Sequence, residues 1–83
     1  MASILITGSA DGLGQLAAQA LIAQGHRVVL HARSAERARH AMQNAPGAAH
    51  VLAGDLSDID ETRSVADAAN AWGRFDAVIH NAG

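Results

Sequence analysis

The sequence predicts an α/β fold built on a parallel sheet, and three observations predict it. Four short apolar runs alternate with three segments of helical periodicity, and strands separated in this way need crossover connections. A glycine-rich turn, Thr7-Gly8-Ser9-Ala10-Asp11-Gly12-Leu13-Gly14, joins the first run to the first helical segment. Residues that start and stop helices stand at the junctions between segments.

Ser3-Ile4-Leu5-Ile6 has the length and β-branched content of a buried strand. After the turn, Leu16, Ala17, Ala20 and Leu21 recur at helical spacing, so the chain is helical from about Gly12. Gly25 sits where a helix C′ glycine belongs. Arg27-Val28-Val29-Leu30-His31-Ala32 is the second strand. Ser34 is an N-cap for a second helix that turns Ala35, Ala38, Ala41 and Met42 toward a core. Asn44-Ala45-Pro46-Gly47 ends that helix in a loop, and Ala49-His50-Val51-Leu52 is a short third strand. Ser57 is expected to cap the third helix, whose first turn is acidic at Asp58, Asp60 and Glu61. Thr62, Val65, Ala66, Ala69 and Trp72 are spaced for its buried face, and Gly73 closes it. Phe75-Asp76-Ala77-Val78-Ile79-His80 is the fourth strand, followed by Asn81-Ala82-Gly83.

The order β-α-β-α-β-α-β implies a strand order of 3-2-1-4, with the first two helices on one face and the third on the other. The crevice between strands 1 and 4 then opens above the glycine turn. A fourth strand with no outer neighbour would be an exposed edge, and the expectation is that residues 1–83 are the incomplete half of a doubly wound domain.

Composition narrows the function. The chain has 83 residues, a formal net charge of −2 and no cysteine, so thiolate metal sites and disulfides are excluded. That charge gives no electrostatic ground for binding nucleic acid or an anionic membrane. Neither a signal sequence nor a membrane span is visible, and a cytoplasmic location is the expectation. His26, His31, His40 and His50 show no metal-ligand spacing and are expected at the surface or at strand ends. Trp72 is expected in the core or in helix-end packing.

The turn itself points to a nucleotide. Unpaired N–H groups and the positive end of a helix dipole make an anion site, and glycines at positions 8, 12 and 14 let a phosphate approach the backbone. The spacing is T-G-x-x-x-G-x-G, not the G-x-G-x-x-G of the commonest dinucleotide fingerprint.

Together with Arg33 after the second strand, Asp55-Leu56 after the third and Asn81-Ala82-Gly83 after the fourth, this pattern resembles the short-chain dehydrogenase/reductase family across the whole chain. The resemblance implies an NAD(P)-binding Rossmann-like half-domain. Gly8, Ser9, Gly12, Leu13 and Gly14 would hold the cofactor's ribose and pyrophosphate through their backbone. Asp55 would accept from the adenine amino group, with Leu56 beside it. Asn81, Ala82 and Gly83 would line the ribose and brace the sheet against Thr7. His80 replaces the first Asn of the family's usual N-N-A-G, and an imidazole can donate and accept much as an amide does.

Three positions bear on which dinucleotide is bound. Ala32 stands where an acid usually holds the ribose hydroxyls of NAD, and the next residue, Arg33, offers a guanidinium to a 2′-phosphate. Asp11 acts in the other direction. At about 6 Å and an effective dielectric near 20, it would cost roughly 2–3 kcal/mol per phosphate charge. Arg33 at hydrogen-bonding distance outweighs that, so NADP is the expected cofactor, with NAD the alternative.

The family's proton transfer uses a tyrosine assisted by a lysine, and this chain contains neither. No catalytic residue is therefore assigned. The expectation is the cofactor-binding part of a longer oxidoreductase that moves hydride between NADP(H) and a carbonyl or alcohol. A non-catalytic nucleotide-binding module or cofactor sensor is the alternative. A nucleotide-sugar epimerase relative fits less well, because T-G-x-x-G-x-x-G is the usual spacing there. Substrate identity is not encoded in these residues, and a homo-oligomer is left open.

Overall fold

The computed structural model describes residues 1–10 and 12–81. Its elements run β1 (Ser3–Thr7), α1 (Gly12–Ala23), β2 (Arg27–Ala32), α2 (Ala35–Asn44), β3 (His50–Ala53), α3 (Ile59–Trp72) and β4 (Ala77–His80). All three pairings are parallel, in the order β3-β2-β1-β4. The expected topology is the observed one.

Alternation along the strands divides the core into two layers. Ile4, Ile6, Val28 and Leu30 pack with Ala18 of α1 and Ala41 of α2. Leu5, Val29 and Leu52 point the other way, onto Val65 of α3. Both faces of β1 and β2 are thus covered, which is why these strands are apolar throughout instead of alternating with polar residues. Ile6, Val28 and Leu30 have no solvent exposure at all, and each such side chain contributes about 1.5–3 kcal/mol by its burial. All four residues of β4 are exposed, and among the described residues this strand pairs with β1 alone.

Local chemistry sets the boundaries. The His26 N–H donates to Leu21 and the Gly25 N–H to Ile22, with Gly25 at φ 88°, a Schellman ending to α1. Ser34 caps α2 by accepting from the Arg37 N–H. The cap of α3 is Asp58, not Ser57. Ser57 gives both its N–H and its hydroxyl to the Asp55 carboxylate, while the Asp58 carboxylate accepts from Asp60 and Glu61. On α3, Val65 is buried and Ala69 and Trp72 half-buried, but Thr62 and Ala66 lie exposed. β3 begins and ends one residue later than expected. β4 starts at Ala77, because the Asp76 carboxylate accepts from the Ser3 N–H and Phe75 packs against the α3 layer. Trp72 stacks on the His50 ring at 5.1 Å, with the Arg27 guanidinium 4.7 Å from its centroid.

Candidate functional site

The carboxyl ends of the four strands surround a cavity of about 610 Å³. Gly8 and Ala10 of the turn, His31 to Arg33 at the end of β2, and Asp55 to Ser57 after β3 line it, with Arg37 and Asn81. A volume of this order suits a bound small molecule or part of a dinucleotide.

The glycine turn forms one side. Gly8 lies at φ 65° and Gly12 at φ 60°, left-handed angles that a side chain would strain. Gly14 meets a different constraint. A Cβ there would stand 2.5 Å from the Gly8 carbonyl oxygen and 2.6 Å from Asn81 Nδ2, so its bare backbone lets α1 close onto the turn.

β4 and β2 then hold the turn from both sides. Asn81 donates its backbone N–H to Thr7 Oγ1 at 3.0 Å and its side-chain amide to the Gly8 carbonyl at 3.1 Å. Thr7 Oγ1 in turn donates to the Ile79 carbonyl. The bracing of the sheet through Thr7 is therefore built by Asn81. On the other side, the Gly8 N–H donates to His31 Nδ1 at 3.0 Å, and the Ser9 N–H to the His31 carbonyl at 2.8 Å.

Ser9 is wholly buried and does not line the cavity. Its hydroxyl accepts from the His31 N–H and donates to the Ile6 and His31 carbonyls. It supports the turn from beneath. The N–H groups of Gly8 and Ser9 are thus already bonded within the protein, so donors open to an anion lie further along, where α1 begins at Gly12 and Leu13. Leu13 is exposed, as expected of a helix start facing outward.

The opposite wall carries the charges. Arg33 Nη2 stands 3.6 Å from Asp55 Oδ2, with the arginine side chain largely exposed. An exposed pair at that distance is weakly held and leaves the guanidinium free to move to another anion. Asp55 Oδ1 accepts the Ser57 N–H at 2.9 Å and the Ser57 hydroxyl at 2.7 Å. These bonds, with a smaller contribution from Arg33, hold the Asp55 carboxyl below the usual carboxylate range, so it is an acceptor at neutral pH. The Glu61 carboxylate reaches back to the Asp55 N–H, fixing the loop to α3. Leu56 supplies an apolar surface beside it.

Of the residues expected from the sequence, Gly8, Arg33, Asp55, Leu56 and Asn81 meet at this one cavity. Gly12, Leu13 and Gly14 form the adjoining helix start. Ala82, Gly83 and Asp11 lie outside the described residues. Two further residues belong to the site. Arg37, in the first turn of α2, is a second arginine lining the cavity. His31 stands at the end of β2, as a strand-end histidine should, but it is buried, only 2% exposed. The signal for it is a polar residue inside a strand covered on both faces, where an imidazole must be bonded. No cluster of metal-ligating side chains occurs among the described residues.

Comparison with known proteins agrees with the geometry. A parallel α/β sheet with a glycine turn and its cavity at the strands' carboxyl ends defines a nucleotide-binding class of fold. The family model for short chain dehydrogenase matches residues 2–83, and the chain belongs to that family. It is 59% identical over its whole length to an uncharacterized oxidoreductase of Emericella nidulans and to the short-chain dehydrogenase chry4 of Gibberella zeae. In both cases it spans 32% of the relative's length. Among solved structures, the Pseudomonas aeruginosa RhlG/NADP active-site complex superposes with a TM-score of 0.80 at 34% identity, covering 93% of this chain and 31% of that one.

Proposed function

We propose that residues 1–83 are the N-terminal half of a dinucleotide-binding domain and that the site holds NADP(H). The observation that carries this reading is the pairing of an amide-bearing glycine turn with Arg33 across one cavity. The helix start at Gly12 and Leu13 takes the pyrophosphate, and Gly14 keeps that approach close. Asp55 accepts from the adenine amino group, with Leu56 against the ring. Asn81, on the cavity wall after β4, borders the ribose. Arg33 leaves its weak pair with Asp55 for the 2′-phosphate, and the lack of an acid at Ala32 removes the usual preference for ribose hydroxyls. RhlG, similar in structure over most of this chain, has been solved with NADP, which supports the same choice.

The nicotinamide, when bound, donates or accepts hydride. The whole protein is accordingly an oxidoreductase acting on a carbonyl or alcohol in the cytoplasm. Residues 1–83 contain no tyrosine or lysine for the proton transfer, so their part is to bind and orient the cofactor. No helix among the described residues is long and apolar enough to cross a membrane. The test is fluorescence titration of NADPH and NADH against the protein. Saturable binding with NADPH the tighter ligand is expected, and binding of neither dinucleotide overturns the reading.

A further inference from the structure

We propose that His31 is a positioning residue whose neutral Nε2–H ring holds the glycine turn at a fixed distance from the β3 end of the cavity. The inference rests on the reading of that turn as the cofactor's phosphate cradle, and it names what sets the cradle's shape.

The ring's two partners determine its protonation. An amide N–H can only donate, so the Gly8 N–H at 3.0 Å requires a lone pair at Nδ1. A carbonyl can only accept, so the Gly54 carbonyl at 2.7 Å from Nε2 requires a proton there. One neutral tautomer satisfies both, and the charged ring or the other tautomer would set two donors or two acceptors against each other.

The ring therefore ties together two loops, the turn after β1 and the segment that leads from β3 into Asp55. Its own backbone adds three bonds to Ser9, from the His31 N–H and to the His31 carbonyl. With Asn81 holding the Gly8 carbonyl, Gly8 is clamped on both its polar atoms, by β2 through its N–H and by β4 through its oxygen. Gly54 is itself held on the β2 side, its N–H donating to the Ala32 carbonyl at 2.9 Å, and a Cβ there would lie 2.4 Å from Val65 Cγ2, so its backbone packs closely against α3. A rigid anchor on the β3 side thus fixes the turn through the imidazole.

Two substitutions separate the ring's bonds. The side-chain oxygen of His31→Asn can stand near Nδ1 and accept from Gly8, whereas the amide of His31→Gln reaches toward the Nε2 position and Gly54. His31→Ala removes both. In the intact protein, NADPH affinity is expected to fall about ten-fold or more in His31→Ala, equivalent to the loss of one hydrogen bond's positioning. His31→Asn is expected to recover most of that loss and His31→Gln little of it. Nitrogen-15 NMR of the wild-type ring should show a bare Nδ1 and a protonated, slowly exchanging Nε2. The Gly8 amide should lose exchange protection in His31→Ala and regain it in His31→Asn. The opposite tautomer, a charged ring, or equal NADPH affinity in all variants would overturn the proposal. If wild-type protein bound no NADPH, the cofactor reading alone would fail, and the tautomer with the Gly8 exchange rates would still decide for or against the brace.

Discussion

Replacing Gly14 with alanine sets two opposing effects against each other. In a helix interior, alanine is favoured over glycine by about 1 kcal/mol. Here the added methyl would stand 2.5 Å from the Gly8 carbonyl oxygen, 3.1 Å from the Gly8 carbonyl carbon and 2.6 Å from Asn81 Nδ2. The Asn81 amide can rotate aside, at the loss of its bond to Gly8, about 1 kcal/mol. The Gly8 carbonyl cannot, because His31 holds the other side of the same residue. Forcing a methyl into such a contact costs about 1–3 kcal/mol. The net expectation for Gly14→Ala is a destabilisation of about 1–3 kcal/mol, read as a lowered urea midpoint at unchanged slope. NADPH affinity should fall with it. Adding Asn81→Ala should not rescue stability, since the backbone clash persists. A midpoint at or above wild type for Gly14→Ala would refute this account of how α1 meets the turn.

The other perturbations address separate parts of the site. Arg33→Ala should weaken NADPH about ten- to a hundred-fold, the scale of a lost charge-assisted bond, while NADH changes by less than about three-fold, both by fluorescence titration. Asp55 has a lowered folded-state pKa, so its stabilising contribution is complete above the ordinary carboxylate value of about 4 and is lost as pH falls through the lower folded value. Urea midpoints of wild type and Asp55→Asn should therefore differ at neutral pH and converge in strong acid. Trp72→Ala removes the stack on His50 and the Arg27 contact and opens the α3 layer. It should cost about 2–3 kcal/mol by chemical denaturation. Because this cluster sits at the other end of the strands, NADPH affinity should stay within about two-fold of wild type.

Much of this architecture can be derived from residue order because several local signals agree. The Gly25 ending, the Ser34 cap and the apolar strands each predict the same parallel sheet, and the strand order follows from crossover handedness. Boundaries are less accessible where two polar residues compete. Ser57 and Asp58 both suit a cap, and the outcome depends on Asp55 drawing the Ser57 donors away, a contact visible only once the loop is folded. His31 escapes a sequence reading for a related reason. Spacing rules look for metal partners, whereas this ring's partners are two backbone groups 23 residues away on either side. Arg37 goes unnoticed because its place on the cavity depends on where α2 starts relative to β2. Ser9 reads from sequence as one of the residues that hold the cofactor through their backbone, and only its burial and its bonds to His31 and Ile6 show that it supports the turn from below.

A crystal structure of the protein with NADP would test the cofactor reading at atomic level. The account predicts the 2′-phosphate within hydrogen-bonding distance of Arg33, the adenine amino group on Asp55, and the pyrophosphate at the start of α1, with the His31 bonds to Gly8 and Gly54 intact. An NADP molecule bound elsewhere, or a cavity left empty at saturating NADP, would contradict it.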